Sequence, residues 1–245
     1  MRKFHFYKSD NAEIVHIKNS VINFDEHCHT NDFVFTVIIN GTAFLDKNKN
    51  IQLLEKGNIF NIPPYQAHSL ASNETVELLS VCINKKIIYK LSPESFSEFL
   101  RNLLKSVPAQ IAFNKKLFEK EVHKIYTAYH NSLNAVQNIF EISRDELINS
   151  PESEKSIERY ANEIYVSKFY YIRKIKKFSG LPPHKLIIQS RIRKSQRLLQ
   201  NGSNIVDTAL LTGFYDQSHF NRYFNKIVGV PPLEYLHSLS NFLQE

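Results

Sequence analysis

The sequence predicts two domains, a β-rich N-terminal one and an all-helical C-terminal one. Three observations carry this reading. Apolar residues cluster in short β-branched and aromatic runs over the first ninety positions, they recur at helical spacing beyond Pro93, and net charge is concentrated in the last third. Residues 151–245 hold 14 Lys/Arg against 8 Asp/Glu, whereas residues 1–150 hold 17 against 16. A basic third beside a nearly neutral remainder points to a module that meets a polyanion.

The β domain is expected over residues 1–92. Phe33–Ile39 is β-branched and aromatic throughout and ends in Asn40-Gly41, a dipeptide that favours a tight hairpin into Thr42–Leu45. Further short strands are expected at Ile51–Leu54, Ile59–Ile62 and Val76–Ile83, with a turn at Lys47–Asn50. Many short strands at close spacing indicate a sandwich or small barrel.

A helical segment is expected over 93–149. Phe96, Phe99, Leu100, Leu103 and Leu104 share one face, Leu117, Val122, Ile125, Tyr126 and Tyr129 a second, and Ile139, Ile142, Leu147 and Ile148 a third. These helices either cover the barrel or form a dimerisation surface. Polar residues 150–155, which include Pro151, read as a linker.

Residues 156–245 read as helical. Ser156 caps a first helix, and Ser167 caps a second, Lys168–Phe178, in which Lys and Arg alternate with aromatic and branched residues; Gly180 and Pro182-Pro183 end it. Two helices joined by a tight turn, the second basic, form the layout of a DNA-reading helix-turn-helix. The layout recurs: Ile205–Leu210 is a short helix, Gly213-Phe214 a turn, and Gln217–Lys226 a second reading helix ended by Gly229 and Pro231-Pro232. Ser179–Pro183 (SGLPP) and Val228–Pro232 (VGVPP) mark an internal repeat, and His184–Gln200 reads as the helix joining the two units.

The run Gly213–Phe224 (GFYDQSHFNRYF) with Gly229, Pro231 and Pro232 resembles the signature of the AraC/XylS transcription regulators, and the resemblance spans Ser156–Leu236. It implies a double helix-turn-helix whose recognition helices enter successive major-groove segments of double-stranded DNA. The DNA-contacting candidates are Lys168, Phe169, Ile172, Arg173 and Lys176 in the first unit and Gln217, Ser218, Asn221 and Arg222 in the second. Arginine can read guanine bidentately, whereas Phe and Ile touch only a thymine methyl or a sugar. Thr208, Thr212, Ser195 and Asn225 depart from the family pattern, which has apolar residues at the first two, alanine at the third and a basic residue at the last.

His27-Cys28-His29 and Gly57-x5-Pro63-x-Tyr65-x2-His68 resemble the two cupin motifs, so the first domain is expected to be a cupin-like β-barrel. Val34 stands where metal-binding cupins carry a glutamate, and Tyr65 replaces a glycine. Three readings of His27, His29 and His68 stay open: polar lining of a pocket for a small-molecule effector, ligands of a divalent transition metal, or a structural role. A metal-dependent cupin enzyme with a DNA-binding tail is the rival from another class, and a regulator without effector is a third. The preferred reading is a cytoplasmic, non-enzymatic transcription regulator, dimeric, with RNA polymerase as a further partner. Cys28 and Cys82 are too few for a disulfide framework, and no apolar run approaches a membrane span.

Overall fold

The computed structural model describes residues 3–8, 11–47, 49–130, 139–151 and 155–241. Its N-terminal strands are β1 (Phe4–Lys8), β2 (Ala12–Ser20), β3 (Asn23–His27), β4 (Asp32–Asn40), β5 (Ala43–Lys47), β6 (Asn50–Leu54), β7 (Ile59–Ile62), β8 (His68–Ala71) and β9 (Val76–Asn84). With β10 (Leu239–Asn241) they form a six-stranded sheet, β10-β1-β2-β9-β4-β7, and a four-stranded sheet, β3-β8-β5-β6.

Side chains alternate across a strand, so β4 serves two cores at once. Val34 and Ile38 face the other sheet, where they meet Leu45, Leu54 and Leu70. Phe33, Phe35 and Val37 face outward against helices. A strand covered on both faces reads as a continuous apolar run, which is why this segment is the clearest strand in the sequence.

The expected barrel is an open two-sheet sandwich: among the described residues no strand pairs across from one sheet to the other. The expected hairpin at Asn40-Gly41 is instead the corner where the chain changes sheets. β4 pairs with β7 and β9, while β5 pairs with β6 and β8. Gly41 has φ +78°, and a Cβ there would lie 2.6 Å from the Thr75 carbonyl oxygen, so the crossing needs glycine for both conformation and space.

Helices α1 (Lys85–Lys90), α2 (Pro93–Lys105) and α3 (Lys115–His130) cover the outer face of the larger sheet. Phe96 of α2 stacks on Tyr126 of α3 with ring centroids 3.9 Å apart. The third helix of this segment, α4 (Ile139–Asn149), leaves that layer: Leu147 and Ile148 join the core of the next helices, whereas Ile139 and Ile142 are exposed. The expected linker falls largely on residues 152–154, outside the described residues.

The C-terminal part contains α5 (Ile157–Glu163), α6 (Lys168–Ser179), α7 (Pro183–Gln200), α8 (Ile205–Leu211), α9 (Gln217–Val228) and α10 (Pro232–Ser238). Ser156, Ser167, Asn204 and Asp216 cap α5, α6, α8 and α9 by accepting hydrogen bonds from first-turn amides.

This helical part docks on the mouth of the sandwich. Phe220, Phe224 and Tyr235 are fully buried in the same core as Phe4 and Phe6, and each such burial contributes roughly 1.5–3 kcal/mol. The left-handed glycines that end α6 and α9 sit at the contact. A Cβ on Gly180 would lie 2.5 Å from the Ala67 methyl, and one on Gly229 2.5 Å from the Phe24 ring.

Candidate nucleic-acid interface and ligand pocket

The two reading helices share one design. In α6, Tyr171 and Ile175 are buried, which turns Lys168, Phe169, Arg173 and Lys176 outward; Phe169 is 78 % exposed and Ile172 half-buried. In α9, buried Phe220 and Phe224 turn Gln217, Ser218 and Arg222 outward, and Asn221 is half-buried. The Arg222 guanidinium lies over the Tyr223 ring, 5.3 Å from its centroid, which steers it along the exposed face. Exposed Phe169 and the outward Lys168, Arg173 and Lys176 lie outside the buried core of the first unit.

Thr208, Thr212 and Ser195 are fully buried together; the Ser195 and Thr212 hydroxyls pair, whereas Thr208 Oγ1 has no hydrogen-bond partner. Thr212 donates to the Thr208 carbonyl at 2.7 Å, and Ser195 Oγ lies 2.9 Å from Thr212 Oγ1 and 2.7 Å from the Arg191 carbonyl. A hydroxyl where the family is apolar thus meets a hydroxyl where the family has alanine.

His27, His29 and His68 come together, with one ring nitrogen of each within 4.8 Å of the others. His27 and His68 face each other in the β3–β8 register, and all three are buried. Nδ1 of His27 donates to the Asp25 carbonyl at 2.7 Å, and Nδ1 of His68 to the Gln66 carbonyl at 3.0 Å. Both rings therefore present Nε2 lone pairs inward. His29 differs, because its Nδ1 accepts from the Arg193 guanidinium at 2.7 Å, which leaves Nε2–H as a donor. Burial, then the nearby Arg193 charge, lowers the pKa of His27 to about 3, and the same causes push His29 well below the usual imidazole value.

This donor set does not fit a divalent cation. One of the three imidazoles spends its lone pair on a guanidinium, Arg193 holds a fixed positive charge at the site, and Val34 supplies no carboxylate. Cys28 does not help: its backbone N–H donates to Gln189 Oε1 at 2.9 Å, its Sγ lies 3.3 Å from the same oxygen, and burial pushes the thiol up to about 12.

Instead, the histidines form the polar end of a cavity of about 100 Å³ between the two sheets. Phe6, Phe24, Phe60 and Leu78 are among its apolar walls, while Arg193 and Gln196 of α7 close it. Sequence reasoning missed these two residues. Gln189, Arg193, Gln196 and Gln200 recur at i, i+4, i+7 and i+11, a polar stripe on one face of α7, and that spacing was the available signal.

Comparison with known proteins agrees with this architecture. A family model described as a helix-turn-helix domain matches residues 160–238. The HTH-type transcriptional regulator MtrA of Neisseria gonorrhoeae is 29% identical over 90 residues, which are 36% of this chain and 30% of that protein. The uncharacterized HTH-type transcriptional regulator YbfI of Bacillus subtilis is 38% identical over 53 residues, 22% of this chain and 19% of that protein. The chain thus matches less than a third of the length of these curated relatives. Over nearly its whole length it has the fold of ToxT from Vibrio cholerae, at a TM-score of 0.64 and 18% identity, covering 95% of this chain and 100% of that one. A ToxT structure with a bound unsaturated fatty acid matches at 0.58 and 17% identity over 95% of this chain and 98% of that one. The chain therefore carries a helix-turn-helix domain over residues 160–238 and, over nearly its whole length, has the fold of ToxT.

Proposed function

We propose that the protein is a sequence-specific, DNA-binding transcription regulator whose hold on DNA is set by a small amphipathic carboxylate bound between the sandwich and α7. One observation carries this reading. The helix that joins the two reading units also supplies Arg193 and Gln196 to the wall of the apolar cavity. A ligand that alters the seat of α7 acts directly on the spacing of α6 and α9.

The chemistry of the cavity fits an anion with an apolar body. A guanidinium and the His29 Nε2–H are donors at one end, aromatic and branched side chains form most of the rest, and Thr36, Ser80, Cys82 and Glu13, whose pKa burial raises, also line it. The fatty-acid-bound form of ToxT, which shares the fold, supports this class. A cavity near 100 Å³ accepts a compact ring or short chain as it stands, and a long acyl tail requires the sheets to part. Control requires the ligand to favour one domain arrangement, since equal affinity for both shifts nothing.

On this reading Lys168, Phe169, Ile172, Arg173 and Lys176 with Gln217, Ser218, Asn221 and Arg222 meet DNA. The protein carries out no covalent chemistry, works in a reducing cytoplasm that suits its two free, buried thiols, and acts as a homodimer beside RNA polymerase. No helix among the described residues is long and apolar enough to cross a membrane.

The test is a calorimetric titration with decanoate, cinnamate and their neutral amides, paired with operator-binding assays. Carboxylates should bind, amides should bind at least about tenfold more weakly for want of the charge-assisted hydrogen bond, and Arg193→Gln should remove the difference. Equal binding of acid and amide would overturn the carboxylate reading, and failure of the full chain to select any DNA sequence would overturn the regulator reading.

A further inference from the structure

On the far side of Arg193 lies a second chamber, of about 140 Å³ and different in character. Its sandwich wall carries Glu13 and Asp32, with Lys8 at the end of β1, and its α7 wall carries Arg193, Arg197 and Gln200. Opposite charges that line one chamber attract and commonly close into contact, and a polar atom buried without a partner is costly. Here they do not. Among the described residues no ion pair within 4.0 Å joins Glu13 or Asp32 to Lys8, Arg193 or Arg197. Glu13 Oε1 is buried with no hydrogen-bond partner at all.

The backbone explains the separation. Glu13 and Asp32 sit on β2 and at the start of β4, fixed by pairing with β9, and the arginines sit on an 18-residue helix. The two walls are thus held as separate elements, and in this arrangement their charged side chains do not meet. What remains is a space with carboxylates on one side and guanidinium groups on the other. A lone anion placed there would face Glu13 and Asp32, and a lone cation would face Arg193 and Arg197. A molecule bearing both charges satisfies both walls.

We infer that this chamber is a binding site for a small zwitterion of the α-amino-acid class, its ammonium group against Glu13 and Asp32 and its carboxylate against Arg197 and Arg193. Burial raises the pKa of Asp32, and an ammonium partner would draw it back down. Because the walls belong to different domains, the bound zwitterion ties the sandwich to α7. The site adjoins the apolar cavity: Glu13, Arg193 and Gln196 line both, whereas Asp32 and Arg197 line only the polar chamber.

The experiment is calorimetric titration of the full chain with glycine, L-alanine, L-glutamine and L-glutamate, with acetate and methylamine as one-sided controls. At least one amino acid should bind one-to-one, and neither control should bind. Asp32→Asn and Arg197→Gln should each weaken binding roughly tenfold or more, as expected for loss of a charged hydrogen bond. Decanoate binding should be unchanged in both variants. Absence of binding by all four amino acids overturns the inference, as does equal binding of acetate or unweakened binding in both variants. If Asp32→Asn fails to fold, Arg197→Gln decides alone, since that side chain is exposed. Amino-acid binding without decanoate binding would leave this site standing and sink only the carboxylate effector.

Discussion

The Arg193 guanidinium donates to Nδ1 of His29 across 2.7 Å, and this bond joins the helix between the two helix-turn-helix units to the sandwich. It fixes the tautomer of His29, takes one lone pair away from a would-be metal site, and places a permanent charge at the polar end of an apolar cavity. Gln189, one turn earlier on α7, makes the parallel link by accepting from the Cys28 backbone.

The link should be measurable as coupling. In a double-mutant cycle of Arg193→Gln and His29→Ala, followed by urea unfolding, we expect a coupling energy of about 1–3 kcal/mol, as for a hydrogen bond to a charged group. Additive losses would mean that the two side chains are neighbours without an energetic bond.

DNA binding should reside in the helical part and depend steeply on salt. A fragment of residues 139–245 should bind operator DNA, with log affinity falling linearly in log salt through counterion release. Cutting at 156 instead removes Leu147 and Ile148 from the core they share with Tyr171 and Ile175, so that fragment should melt at a lower temperature. Equal melting temperatures would show that α4 contributes nothing to the first unit.

Arg222 and Lys176 should behave differently. Arg222→Ala is expected to cost about 1–3 kcal/mol on the preferred operator and to flatten the preference among base variants. Lys176→Ala should weaken all sequences alike and reduce the salt slope by about one. A preference among variants that survives Arg222→Ala would assign that side chain to the phosphate backbone.

Acid should destabilise the fold earlier than carboxylate titration alone predicts. His27, His29 and His68 are held neutral by burial, with folded pKa values below the unfolded value of about 6.5. The unfolded chain binds more protons below that pH, so stability falls as pH drops through 6.5 and, for His27, goes on falling to about 3. Each histidine contributes a slope of up to about 1.4 kcal/mol per pH unit. Glu13 and Asp32, raised by burial, act in the opposite sense as pH falls through their folded values. Unfolding free energies between pH 7 and 5 should show the net loss, and His68→Gln should lessen its slope. A flat profile over that range would contradict the buried, neutral triad.

Residue order alone marked the two-part organisation, the caps of the first helix-turn-helix unit and the glycine stops of both, each written locally in a Ser before an apolar stripe or a Gly after it. The grouping of His68 with His27 and His29, 39 residues away, came from the resemblance to the cupin motifs. That Asn40-Gly41 turns between sheets was settled by the packed chain, where Thr75, from the loop before β9, meets Gly41. It alone sent α4 to the DNA-reading half and made the barrel an open sandwich. It also set Arg193 beside the histidines. Arg193 lies 164 residues from His29, and in the sequence it is one more cation on a basic helix. Its burial against an imidazole follows from how two domains pack, and spacing along a single chain carries no record of that contact.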